Sequence, residues 1–111
     1  MEKIIIANWK CNPMTMKEAR ELFVGVRNGV GKTKNEVVIC PPFLYLSELA
    51  MLISKKTNIE LGSQDCFWAE KGPFTGEVSP VILTDLKIKY VILEGSVLDI
   101  CILIAIQHIV L

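Results

Sequence analysis

Two polar side chains suited to binding an anion, Asn8 and Lys10, directly follow an apolar run near the start of the sequence. The run Ile4–Ala7 lacks the alternation of a half-buried strand, which favours a parallel strand covered on both faces. Ligands of parallel sheets bind just beyond the carboxyl ends of the strands. We therefore predict that a buried strand presents the Asn8 amide and the Lys10 ammonium to an oxygen-rich anion. Taken alone, the segment has a simpler interpretation as a solvated lysine in a loop, and the rest of the chain decides between the two interpretations.

The elements that must position these residues repeat a strand-then-helix pattern. The capping-box sequence Thr15-Met16-Lys17-Glu18 predicts one helix start, and Ser79-Pro80 predicts another. Four strands separated by three helices imply right-handed crossovers and a parallel sheet of the α/β class. The predicted elements, in chain order, are the strand from Ile4, a helix from Thr15 to about Asn28-Gly29, a strand Val37–Cys40 that stops at Pro41-Pro42, a helix from about Leu44 to Lys55, a strand Ile59–Gln64, a helix from Pro80 through Leu86 and a strand Tyr90–Leu93.

Composition limits the classes of function. The 111 residues are 51% hydrophobic, and 12 Lys and Arg balance 12 Asp and Glu. We expect one globular domain or part of a larger one, with no net field to attract nucleic acid or an anionic membrane. Four widely spaced cysteines without a C-x-x-C pair, and no signal peptide, favour a reduced cytoplasmic protein. The single histidine, His108, has no nearby cysteine at ligand spacing, so we expect no metal and no cofactor.

The strand–helix rhythm stops near Gly95. From Val97 to Leu111 the chain is apolar except for Asp99, Gln107 and His108. Such a segment has no charged face for a surface helix, and it is short for a membrane span. We predict a domain over residues 1–96 and a divergent apolar tail over 97–111, in which a buried strand, a buried helix and an aggregation-prone edge all remain open.

The loops at the predicted strand ends carry specific motifs, which together resemble the N-terminal part of the triosephosphate isomerase family. The resemblance runs from about Lys3 to Leu93, and it implies four βα units, or half, of a closed TIM (β/α)₈ barrel. The motifs are Asn8-Trp9-Lys10, Pro41-Pro42-Phe43, Gln64-Asp65-Cys66-Phe67-Trp68, the segment Gly72–Pro80 and Tyr90-Val91-Ile92.

The resemblance implies roles for individual residues. Asn8 and Lys10 match the family's active-site asparagine and lysine, which face the substrate's enediolate and phosphate. Thr75, flanked by Phe74 and Gly76 in the loop over residues 67–78, matches a residue that reaches into the neighbouring subunit. The implied substrate is a triose phosphate, and the implied assembly uses this loop and the exposed barrel edges.

The resemblance breaks at the end of the fourth strand. The family has Gly-His-Ser-Glu there, whereas this sequence has Glu94-Gly95-Ser96-Val97. Ser96 matches the family's serine, but Gly95 stands in place of the electrophilic histidine and Val97 in place of the glutamate that pairs with the lysine. The catalytic glutamate belongs to the second half of the family's barrel. Glu94 and His108 are weak substitutes, because a solvated carboxylate is a poor base and a lone histidine in an apolar segment is usually structural.

Three hypotheses follow. The first is a truncated triosephosphate isomerase homologue, of glycolysis and gluconeogenesis, that lacks appreciable activity alone. The second is a non-catalytic half-barrel module that self-associates, because a half barrel leaves two sheet edges open. The third is that a frameshift or a rebuilt terminus produced the junction after Leu93.

Overall fold

The computed structural model describes residues 3–53, 57–93 and 96–99, in which strands and helices alternate up to Leu93. The order is β1 (Ile4–Asn8), α1 (Met16–Val30), β2 (Glu36–Cys40), α2 (Phe43–Ala50), β3 (Ile59–Ser63), α3 (Pro80–Asp85), β4 (Tyr90–Leu93) and β5 (Ser96–Asp99). All seven elements predicted from the sequence are therefore present.

The strands form one sheet in sequence order, β1-β2-β3-β4-β5. The pairs β1–β2, β2–β3 and β3–β4 are parallel. Because each of these pairs is joined by a helix, the predicted α/β class and the arrangement of about four βα units are confirmed. This is the architecture of half of a TIM barrel.

Local capping sets the beginnings of two helices. Thr15 Oγ1 accepts a hydrogen bond from the Glu18 amide at 3.2 Å, and Ser79 Oγ accepts one from the Val81 amide at 3.1 Å. Both side chains therefore satisfy amides that the helix itself leaves unpaired. Both predicted starts are confirmed.

The second helix is shorter than predicted. It begins at Phe43 and ends at Ala50, whereas the sequence predicts a helix to Lys55. The amides of Met51 and Leu52 bond three residues back rather than four, and the Leu52 carbonyl accepts from the Arg27 guanidinium at 3.0 Å. The prediction of a longer helix is wrong because the amides after Ala50 leave the α-helical bonding pattern, and the predicted end at Lys55 lies outside the described residues.

The sheet has two buried faces. The main core lies between the strands and the helices, and the opposite face carries a smaller cluster of Val38, Cys40 and Tyr90, against which Ile6 and Ile92 pack. The largest buried side chains of the main core are Phe23, Ile39, Leu46, Leu49, Ile59, Leu61, Leu83 and Val91. β2 and β3 are thus covered on both faces, which explains their continuous apolar sequences.

The first strand departs from the prediction. Ile4 is 54% exposed and Ile5 is 47% exposed, so β1 is not buried on both faces. The reason is position, because among the described residues β1 is paired with β2 alone and forms an edge of the sheet. Its apolar sequence resembles that of a central strand, but its surroundings do not.

The fifth strand departs from the alternation of strands and helices, as the sequence predicts for this region. β5 pairs antiparallel with β4, from Leu93 opposite Ser96 to Tyr90 opposite Asp99. The predicted boundary between residues 96 and 97 falls within this strand and stays a prediction. Glu94, Gly95 and His108, with the rest of 100–111, lie outside the described residues.

Candidate functional site

Asn8 and Lys10 lie where β1 ends, as predicted. Asn8 is paired in register with Cys40 at the end of β2, and the Trp9 amide donates to the Cys40 carbonyl at 3.0 Å. Immediately beyond, Lys10 turns the chain with a φ of 56°, in the left-handed region. A non-glycine residue rarely adopts this conformation, because its Cβ crowds the neighbouring carbonyl.

Hydrogen bonds hold both sides of the Lys10 backbone. Its amide donates to Asn8 Oδ1 at 2.8 Å, and its carbonyl accepts from Gln64 Nε2 at 2.7 Å. The same Gln64 nitrogen donates to the Cys40 carbonyl at 2.9 Å. Three strand ends, those of β1, β2 and β3, are therefore connected at this point.

These bonds also decide which group of Asn8 is left for a ligand. A backbone amide can only donate, so the Asn8 oxygen must face Lys10, and the side-chain NH₂ remains to donate elsewhere. Asn8 and Lys10 are both exposed. One amide donor and one ammonium thus come from the same strand end, a combination that suits a phosphate or an enolate oxygen.

Two cysteines near this edge, Cys40 and Cys66, have weakly acidic thiols. Burial raises the pKa of Cys40 to about 11, and a hydrogen bond with the Gly62 backbone only partly offsets this effect. Burial also raises the pKa of Cys66 to about 11, with a further contribution from the charge of Asp65. Both side chains are protonated near neutral pH, which supports packing roles.

The predicted interface loop, residues 67–78, lies at the surface. Phe74, Thr75 and Gly76 are exposed. The rings of Phe67, Trp68 and Phe74 pack together with centroids 4.8 to 5.6 Å apart. The polar contacts described for Asn8 and Lys10 do not involve this loop, and its role between subunits stays a prediction.

A second polar cluster, which the sequence reasoning missed, lies at the opposite end of the strands. Glu36 contacts Lys89 Nζ and the Tyr90 hydroxyl, each at 2.8 Å. The Lys89 amide donates to the Leu61 carbonyl at 3.0 Å, and its ammonium pairs with Glu36. Acidic residues within otherwise apolar strands are the signal that could have revealed this cluster.

Gln64 is the functional candidate that the sequence reasoning did not single out, although it lies in a quoted motif. Its position immediately after β3 corresponds to that of Asn8 and Lys10 around the end of β1. Of the other candidates, Ser96 lies in β5, where its backbone pairs with Leu93. Gly95, at the expected position of the histidine, is outside the described residues.

Two searches of the described ranges gave no site. Within residues 3–53, 57–93 and 96–99, no three His, Cys, Asp or Glu side chains are grouped so as to hold a metal ion. In the same ranges, the helices are too short or too polar to cross a membrane.

Known proteins are similar in sequence to most of this chain. The family model described as triosephosphate isomerase matches residues 3–96. The triosephosphate isomerase of Thermoanaerobacter pseudethanolicus is 47% identical over 93 residues, which is 84% of this chain and 37% of the relative. That of Moorella thermoacetica is 46% identical over 93 residues, covering 84% and 36%. That of Alkaliphilus oremlandii is 45% identical over 97 residues, covering 86% and 38%. The chain therefore spans little more than a third of the length of these relatives.

Proposed function

Because the chain belongs to the triosephosphate isomerase family, we propose that Asn8 and Lys10 bind the anionic part of a triose phosphate. The substrate of the family reaction is dihydroxyacetone phosphate or glyceraldehyde 3-phosphate. We further propose that the 111-residue chain alone does not catalyse their interconversion. A cytoplasmic location and a place in glycolysis and gluconeogenesis belong to the same proposal.

One observation carries the binding proposal. The Lys10 amide fixes the Asn8 side chain so that its NH₂ group is available as a donor beside the exposed lysine. An anion at this edge would receive one neutral and one charged hydrogen bond. Hydrogen bonds to charged groups contribute roughly 1.5–3 kcal/mol. Two such contacts sum to roughly 3–6 kcal/mol, and the entropy lost on association reduces this total. We therefore expect a dissociation constant in the millimolar range or weaker, since 1 mM corresponds to about 4 kcal/mol.

The expected lack of catalysis rests on proton transfer. The family reaction moves a proton between two carbons, which requires a base and a hydrogen-bond donor at the substrate oxygens. Gly95 stands where the family has its histidine, and it has no side chain to donate. Removing one acid or base typically costs about 10²- to 10⁴-fold in rate. The family's catalytic glutamate falls in the part of the relatives that this chain does not span.

The binding test is a titration with glycerol 3-phosphate, a non-isomerising phosphate ester, followed by NMR at the amides of residues 8–10. We expect saturable shifts in the natural chain and their loss in Lys10→Met. Lys3→Met is the matched control, because it removes one exposed ammonium just before the opposite end of the same strand. Equal binding by Lys10→Met and the natural chain would exclude the proposed site.

The catalytic part is tested by an isomerase assay on size-separated, freshly purified chain from a host that lacks its own enzyme. We expect a rate indistinguishable from buffer. Interconversion well above buffer that comigrates with the chain would contradict this part of the proposal without affecting the binding test.

Self-association is proposed on separate grounds. Ile4 and Ile5 are about half exposed at the β1 edge, and Trp68 and Phe74 are exposed in the loop 67–78. Exposed apolar side chains, and a strand edge that no other described strand pairs with, both favour contact with a second copy. Sedimentation should show a dimer or a larger species, and a monodisperse monomer would contradict it. A chain that assembles but binds no phosphate ester would favour the non-catalytic module instead.

A further inference from the structure

We propose that Gln64 is a positioning residue that sets the left-handed conformation of Lys10 and thereby prepares the anion site. The inference rests on the proposed function of Asn8 and Lys10. Gln64 itself does not contact the anion in this scheme, and it acts through the backbone of Lys10.

The argument starts from how a residue's φ and ψ are fixed. These angles describe the orientation of the two peptide planes that flank one Cα. The Lys10 amide is held by Asn8 Oδ1 at 2.8 Å, which orients the preceding plane. The Lys10 carbonyl is held by Gln64 Nε2 at 2.7 Å, which orients the following plane. Hydrogen bonds hold both peptide planes, so they fix both the φ and the ψ of Lys10.

Such specification is needed because the conformation is unfavourable. Lys10 has a φ of 56° and, unlike glycine, carries a Cβ. Strained residues persist where surrounding groups over-determine them, and they concentrate at functional sites. Asn8 lies only two residues away and moves with the same strand end. Gln64, 54 residues distant in sequence, is the independent support.

Gln64 is itself well anchored. Its NH₂ group has two hydrogens, and the second bonds the Cys40 carbonyl at 2.9 Å, so the amide bridges β1 and β2. The residues that precede it, Gly62 and Ser63, are buried in β3. A side chain on a rigid strand end positions its partner more precisely than one on a long loop.

The chemistry requires an amide at position 64. Glutamate has nearly the same shape but would direct an acceptor at the carbonyls of Lys10 and Cys40 when ionised. Methionine keeps the approximate volume and has no donor. Both substitutions remove the bridge, so Lys10 should relax toward a negative φ and move its ammonium away from the Asn8 NH₂ group.

The test compares the natural chain with Gln64→Met and Gln64→Glu by two measurements. The first is the affinity for glycerol 3-phosphate, which should fall by roughly tenfold, as it does when outer partners of a ligating side chain are removed at metal centres. The second is the intraresidue NOE between the amide and α hydrogens of Lys10, which is strong at positive φ. It should weaken in both variants, whereas a general loss of stability would not select this one residue.

Asn58→Asp is the matched control, because the Asn58 amide also donates to a loop carbonyl, that of Thr33, next to the opposite end of the sheet. It should retain both the affinity and the Lys10 NOE. If Gln64→Met does not fold, Gln64→Asn replaces it, since an amide withdrawn by one methylene cannot keep both bridging bonds.

The outcomes distinguish a failure of the positioning role of Gln64 from a failure of the proposed anion binding. A Gln64 variant that keeps a strong Lys10 NOE and the natural affinity overturns the positioning role. A natural chain that binds no glycerol 3-phosphate overturns the proposed function, while the NOE comparison still decides whether Gln64 sets the conformation of Lys10.

Discussion

Replacing Lys10 by glycine should separate the cost of its backbone conformation from the function of its side chain. The residue is exposed, and its hydrogen bonds to Asn8 and Gln64 use backbone atoms that glycine retains. We therefore expect Lys10→Gly to make the protein more stable and at the same time to abolish binding of glycerol 3-phosphate.

The magnitude follows from two opposing terms. A residue with a Cβ loses roughly 1–2 kcal/mol in the left-handed region relative to glycine. Glycine in turn increases the entropy of the unfolded chain, which costs about 0.4–1 kcal/mol. The difference between the midpoints of these two ranges is a net gain of about 0.8 kcal/mol, or roughly 3–6 °C in Tm for a chain of this size.

Lys87 supplies a matched control within the same molecule. It is an exposed lysine with a φ of 65°, it follows α3, and it lies outside the proposed site. Lys87→Gly should give a similar gain, because glycine is the favoured residue just after a helix, and it should leave phosphate-ester binding unchanged.

Urea denaturation of the three proteins, with the same NMR titration, tests the expectation. If Lys87→Gly is stabilised while Lys10→Gly is destabilised, the Lys10 side chain contributes packing or pairing that outweighs its backbone cost. That result would refute the view that Lys10 holds an unfavourable conformation for the sake of binding.

Two further expectations concern residues of β3. Gly62→Ala should destabilise the protein by about 1–3 kcal/mol through overpacking, because a Cβ there would lie 2.7 Å from Cys40 Sγ. In urea denaturation the loss of stability should be smaller when Cys40→Ala is also present. An equal loss in both backgrounds would contradict overpacking against Cys40. Burial raises the pKa of Glu60 above its ordinary 4.5, the Lys89 ammonium opposes this and the Glu36 carboxylate adds to it. Because the pKa of Glu60 is raised in the folded protein, ionising Glu60 lowers stability as the pH rises through that folded pKa. Glu60→Gln should therefore have a higher urea midpoint than the natural chain at pH 7, and this advantage should disappear below about pH 4.5. A difference between the two proteins that does not depend on pH would exclude ionisation as its cause.

Local sequence signals predicted the elements well. The strand Tyr90–Leu93 has the predicted bounds, and the helix starts at Thr15 and Ser79 follow from caps that act within three residues. The end of α2 could not be found in the same way, because the residues just after Ala50 include no Gly or Pro stop signal. Burial of β1 was likewise mispredicted, since being at a sheet edge depends on strand order rather than on composition.

For the candidate site too, sequence predicted the local features and missed those that depend on tertiary contacts. Asn8 and Lys10 could be recognised because they follow an apolar run and match a family motif. The left-handed conformation of Lys10 and the bridge from Gln64 join segments 54 residues apart, and no local pattern encodes them. Sequence therefore identified the candidate binding groups, and the tertiary structure showed how they are held.

Holding these groups in place is not sufficient for strong binding or catalysis. The Lys10 ammonium is exposed, and an ion pair in water is worth about 0–1 kcal/mol, whereas the same charges attract more strongly where water is excluded. Covering this edge would therefore increase the contribution of Asn8 and Lys10 without moving either residue. The described half barrel supplies the orientation of the donors, and the exclusion of water must come from whatever covers the carboxyl ends of the strands.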